Sequence, residues 1–158
     1  MHSVVILLSL LFSTIVCASI RVALVMEAYD RSIVECVKIS ETGATGITVL
    51  RNSSLTVNYA GDTAVCAINN VGCFFPKESC FCKCQGKSNN ILEYKTRGRL
   101  AKSACEYWSY YHLKNSTWEY AKTGPSDYKV VDGSVEAWRW DVGDKKLPKL
   151  YQFKDICH

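Results

Sequence analysis

The sequence predicts an α+β fold: a β-grasp-like mixed sheet with one short helix across one face, stabilised by disulfides. Three observations predict it, namely a hairpin of β-branched strands leading into a helix start, a closing run of aromatic residues at alternate positions, and an abundance of cysteine. At 158 residues, 48% hydrophobic and 22% charged, the chain has the size and composition of one folded domain. Disorder, collagen and coiled coil are thereby disfavoured. The net charge of +4 is no more than solubility asks for, and no nucleic-acid partner is expected from it.

Residues Ser3 to Val16 are apolar and uncharged, and Cys17-Ala18 offers small residues for cleavage, so residues 1–18 read as a secretory signal peptide. The start has only His2 where a basic residue is usual. The competing reading is a retained membrane anchor, but the apolar run falls short of the roughly 20 residues that span a bilayer. After cleavage the nine cysteines become eight: Cys36, Cys66, Cys73, Cys80, Cys82, Cys84, Cys105 and Cys157. Eight thiols exported to an oxidising space suit four disulfides, which places the protein outside the cell or on its surface, not spanning the membrane. Asn52 and Asn115 head sequons open to glycosylation.

Residues 19–158 are then read as a single domain. Arg21 to Tyr29 and Ser32 to Ile39 form two strands joined at Asp30-Arg31. Thr45 to Asn52 carries Ile47, Val49 and Leu50 on one side and fits a short helix, with Thr42 or Thr45 as its cap. Leu55 to Tyr59 and Thr63 to Asn69 continue as strand, and Gly72 to Gln85 is a cysteine-rich turn region. From Tyr107 a four-strand meander is expected: 107–113, 118–124, 126–131 and 134–140, with Asp132-Gly133 as a tight turn. A lysine-bearing tail ends the chain at Cys157-His158.

In the meander Tyr107, Trp108, Tyr110, Gly124, Ser126, Tyr128, Val130, Asp132, Gly133, Val135, Trp138 and Trp140 resemble the closing motif of the DUF4430, or transcobalamin C-terminal-like, domains, in their secreted prokaryotic variety. Thr45-Gly46 to Leu50, Val65 to Ile68, Gly72-Cys73, Cys80-Phe81-Cys82 and Phe153 to Cys157 resemble the rest of that pattern. Gly133-Ser134 and Gly124-Pro125 depart from it at turns. Relative to that family, residues at about 83–106 are an insertion bracketed by Cys84 and Cys105, which are expected to pair and close it. The resemblance also implies a small ligand of the corrinoid kind, with cobalamin held only if a partner domain supplies the other half of a clamp.

Spacing offers one further pairing guess, Cys73 with Cys80 across a short loop; the remaining order is open. The alternating Cys80, Cys82 and Cys84 do not have the usual zinc spacing, so no metal is assigned. No cofactor is implied. His112 has no serine or aspartate at a spacing that suggests a triad, and paired carboxylates or a phosphate-cradling glycine loop are not evident. The chain is therefore read as a binding module, not an enzyme.

Nine aromatic residues fall within the 34 positions from Tyr107 to Trp140. Half of an alternating set faces the core, and an outward half would give rigid contact area for a ligand, a surface glycan or a protein. The candidate ligand contacts are Tyr107, Trp108, Tyr110, His112, Trp118, Tyr120, Trp138 and Trp140. Lys83, Lys87, Lys95, Arg97, Arg99 and Lys102 make the insertion a basic loop whose surplus equals the charge of the whole chain. The alternative function is a surface-assembly subunit that joins copies through a sheet edge and aromatic contacts.

Overall fold

The computed structural model describes residues 19–80, 106–141 and 146–158. The signal region, most of the basic loop with its six cationic residues, and Cys82, Cys84 and Cys105 with their expected pairing lie outside the described residues. The hairpin forms as expected, with β1 at Ile20–Ala28 and β2 at Arg31–Ile39. Its turn falls one residue earlier, at Tyr29-Asp30, with Tyr29 in the left-handed region (φ 56°). Helix α1 (Gly46–Asn52) follows, then β3 (Val57–Ala60), β4 (Ala64–Ile68), β5 (Val71–Gly72), β6 (Tyr107–Lys114), β7 (Thr117–Tyr120), β8 (Val135–Asp141) and α2 (Phe153–Ile156).

Five strands form a mixed sheet in the order β2-β1-β8-β6-β7, and β3-β4-β5 form a small second sheet. The first strand lies parallel to the last, from Ala23 opposite Val135 to Ala28 opposite Trp140. Both are central, so both are buried on two faces; β1 accordingly runs apolar with little alternation, whereas β8 also buries Glu136 and Arg139. The expected strand at 126–131 does not join the sheet. Both flanks of β8 are already taken by β1 and β6, and Gly124-Pro125 turns the chain, with Asp127 N donating to Gly124 O at 3.0 Å. This segment bridges to the start of α1 instead, through Thr45 and Lys129.

The front face of the large sheet carries Val22, Leu24, Met26, Trp108, Tyr110, Trp138 and Trp140, packed under Ile47, Val49 and Leu50 of α1 and Ile68 of β4. Thr45 caps the helix, its Oγ1 accepting from Thr48 N. The next two amides go to the 124–130 segment: Gly46 N donates to Tyr128 O (3.2 Å) and Ile47 N to Pro125 O (3.0 Å). Gly46 is needed because the Tyr110 ring lies flush against it; a Cβ there would sit 2.2 Å from the phenol oxygen. The small sheet is fastened by Trp108 Nε1, which donates to Val71 O at 3.1 Å.

The back face is covered as well, which corrects the expectation of one helix on one face. Ala23, Val25, Tyr111, Trp118, Val135 and Ala137 are sealed by Tyr151, Phe153, Ile156 and Cys157 of the C-terminal segment. The disulfide Cys36–Cys157, with Cα atoms 5.1 Å apart, ties this strap to β2. At its other end the buried pair Glu27 and Arg139 is closed by Lys149 N donating to Glu27 Oε1 at 2.8 Å. A buried ion pair needs such extra donors to offset its desolvation.

The second disulfide is Cys66–Cys80, so the expected Cys73–Cys80 link is wrong. Cys73 N donates to Cys66 O, which sets the two residues side by side on neighbouring strands. The 74–78 turn then returns Cys80 to β4, within 4.5 Å of Cys66 between Cα atoms. Cys73 is itself disulfide-bonded and its sulfur is buried in the front core. Asn52 and Asn115, the sequon asparagines, are both exposed.

Cys36 and Cys157 are 121 residues apart, so opening their bond frees a long loop in the unfolded chain. Cys157→Ser is expected to lower stability by about 3–5 kcal/mol, measured by guanidinium unfolding with the other disulfides intact.

Candidate binding cleft

A cleft of about 400 Å³ opens where β6, β7 and β8 meet the small sheet and the 121–125 loop. Trp108, Tyr110 and Trp138 form its floor, all nearly buried by the core below. Tyr107, Thr63, Ala64, Val65 and Cys80 make one wall, and Tyr120, Ala121, Thr123, Gly124 and Pro125 the other. The disulfide Cys66–Cys80 fixes the first wall, and Ala121 N, donating to Tyr110 O at 2.9 Å, fixes the second.

Five of the eight candidate residues line this cleft, Tyr107, Trp108, Tyr110, Tyr120 and Trp138, but only Trp108, Tyr110 and Trp138 belong to the front face. Tyr107 has the strand parity of Tyr111, and Tyr120 sets its ring against Tyr111 of the back cluster, centres 5.5 Å apart. Three do not line this cleft. Trp140 packs against Trp108 in the core, ring centres 5.6 Å apart. Trp118 points to the back face. His112 faces a neighbouring depression with Glu119, Lys122 and Tyr128. There the imidazole stacks on Tyr128 at 4.0 Å, and its Nε2 lies 3.3 Å from Glu119 Oε2.

Behind the floor is a carboxyl group that sequence reasoning missed. Glu136 shares the face of Trp138 and Trp140, lies between Leu24 and His112 in register, and is 1% exposed. Tyr110 donates its hydroxyl to Glu136 Oε2 at 2.5 Å. Burial pushes Glu136 up to about 8, against the opposing effect of that hydrogen bond, so the group is largely protonated at neutral pH. Burial, then the nearby Glu136, drives Tyr110 above the ordinary phenol range; burial, then Glu136 and Glu119, does the same to Tyr128. The one signal in the sequence is parity: in Val135 to Trp140 the glutamate sits two positions before a tryptophan, on the core side.

The chemistry on offer in the cleft is flat apolar surface with threonine hydroxyls at two points of the rim. The nearest acid and phenol are engaged with each other. Among the described residues no group of three His, Cys, Asp or Glu side chains is placed to hold a metal ion.

Residues 100–158, which include β6, β7, β8 and α2, match the model of the SCO2322-like domain family. That stretch is well under half of the chain and is a likeness for this part only. There is no match to DUF4430, so the transcobalamin C-terminal-like assignment is overturned; the cobalamin clamp and the insertion at about 83–106 lose the resemblance that implied them. The physical reason is that alternating aromatics and an Asp-Gly turn are what any half-buried meander of this kind needs. No curated protein matches the chain in sequence.

Glu136 holds its proton more tightly in the folded chain than at the ordinary value of 4.5. Unfolding between pH 4.5 and 8 therefore releases a proton, and stability falls as pH rises through that window, by at most about 1.4 kcal/mol per pH unit. Unfolding curves across this range are expected to show a flatter pH dependence for Glu136→Gln than for the natural chain.

Proposed function

We propose that this protein is a non-catalytic binding module of an oxidising, extracellular or cell-surface setting, which takes a small ligand with a flat apolar face in the cleft. The observation that carries the reading is the convergence of three aromatic rings, Trp108 and Tyr110 of β6 and Trp138 of β8, on one opening that the core does not fill. Such sites are largely pre-formed and mostly apolar, with a few polar groups that orient the ligand. The disulfides suggest the oxidising compartment, and among the described residues no helix is long and apolar enough to cross a membrane. A β-grasp assignment is supported by the hairpin, the helix that follows it and the parallel pairing of the first and last strands at the sheet centre. The pairing of Glu136 with Tyr110 supports binding over turnover, because it keeps the nearest acid behind the cleft floor.

The test uses an anilinonaphthalene sulfonate dye as a flat apolar probe. Gly124 lines the cleft and has open space around its α-carbon, so Gly124→Trp can fill the opening without disturbing the core. Saturable dye fluorescence with the natural chain, weakened about tenfold or more in Gly124→Trp, is the expected result. A dye response that is absent, or equal in both proteins, overturns the reading.

A further inference from the structure

We propose that two copies of this chain pair through the outer edge of β2, joining their large sheets into one across a twofold axis. This goes beyond the ligand-binding reading and does not depend on it. Among the described residues, β2 has β1 on one side and no strand on the other. It is nine residues long, contains no proline and pairs with β1 in nine unbroken steps. Edges usually carry a bulge, a proline or shortness against such pairing. The other edges here do: β7 has four residues, β5 has two, and β3 has four with a register shift at Asn58/Tyr59.

Exposed apolar groups gather at the same place. Ile33 (38%), Val34 (42%) and Tyr29 (67%) stand out on the hairpin. Leu150, also exposed, is carried beside it by the contacts of Lys149 N with Glu27 and of Tyr151 Oη with Ser32 Oγ. The helix leaves this half of β2 open: Val37 and Ile39 belong to the core with α1, whereas Arg31 to Val34 are exposed.

The charges select a second copy as the occupant. An antiparallel pairing centred on Ile33 sets Ile33 against its counterpart, Ser32 against Val34, and Arg31 against Glu35 of the other copy, twice by symmetry. Arg31, Ile33 and Glu35 share one face of the strand, so these are direct cross-strand neighbours. Glu35 is already held in place, accepting from Ser54 N at 2.9 and 3.0 Å and from Ser54 Oγ at 2.8 Å. The alternative centred on Glu35 opposes two carboxylates and is disfavoured. The twofold axis runs through the sheet, which leaves α1 on the same face in both copies and both aromatic clefts open.

Sedimentation of the purified full chain tests this. The natural protein is expected to dimerise below about 100 µM. Arg31→Glu and Glu35→Arg each place like charges across the seam, and each is expected to weaken dimerisation about tenfold or more. Mixed in equal amounts, the two variants regain opposite charges at every pair and form a heterodimer. Ile33→Lys, an exposed substitution, separates the copies without touching the Glu35 contact to Ser54. A natural chain that stays monomeric, single variants that dimerise as the natural chain does, or a mixture that remains monomeric would each overturn the proposal.

Discussion

The parallel pairing of β1 with β8 is the constraint on which the rest of this structure depends. It puts the first and last strands side by side at the centre of the sheet, so each needs cover on both faces. Helix α1 and the small sheet supply the front cover and the C-terminal strap the back, the latter locked by Cys36–Cys157. The acidic side chains buried on the two strands have named partners: Glu27 has Arg139 and Lys149 N, and Glu136 has Tyr110. Central strands buried on both faces leave no room for an unpaired charge. Because the pairing closes a loop nearly the length of the domain, its cost in chain entropy falls early and its contacts come late.

The cleft is a by-product of how the front layer is built. Gly46 lets the helix settle on Tyr110, and Tyr110 in turn occupies Glu136. The helix start takes its remaining backbone partners from the 124–130 segment, which draws that segment away from the sheet and leaves the 121–125 loop standing as a wall. The opposite wall is the edge of β4, pinned by Cys66–Cys80. The rings on the floor serve the core with one side and face the opening with the other, which links the stability of the fold to the shape of the site.

Much of the fold could be read from local signals. The β-branched hairpin, the Thr45 cap, the strands of β6 to β8 and the Asp132-Gly133 turn, where Gly133 has φ 86°, rest on short-range chemistry that the residues state themselves. What escaped was long-range. The strap over the back face depends on Cys36 meeting Cys157, and the route of 126–131 depends on β8 already having two neighbours. Cys66 and Cys73 are both near Cys80 in sequence and lie side by side in the fold, and the return of the chain after the 74–78 turn brings Cys80 to Cys66. In the site, aromatic spacing found the floor, whereas Thr63 to Val65 and Thr123 to Pro125 arrive by tertiary packing from segments with no distinguishing pattern. The family resemblance drawn from the meander failed for a related reason, since its motif describes a type of strand more than a particular protein.

Native-state hydrogen exchange measures the central constraint most directly. If β1 and β8 are the doubly covered centre of the sheet, the amides of Leu24 to Glu27 and Val135 to Arg139 exchange only through global unfolding and are the slowest in the molecule. Exchange of those amides at rates like those of the edge strand β7 would show that the first and last strands are not paired at the core, and would contradict the account.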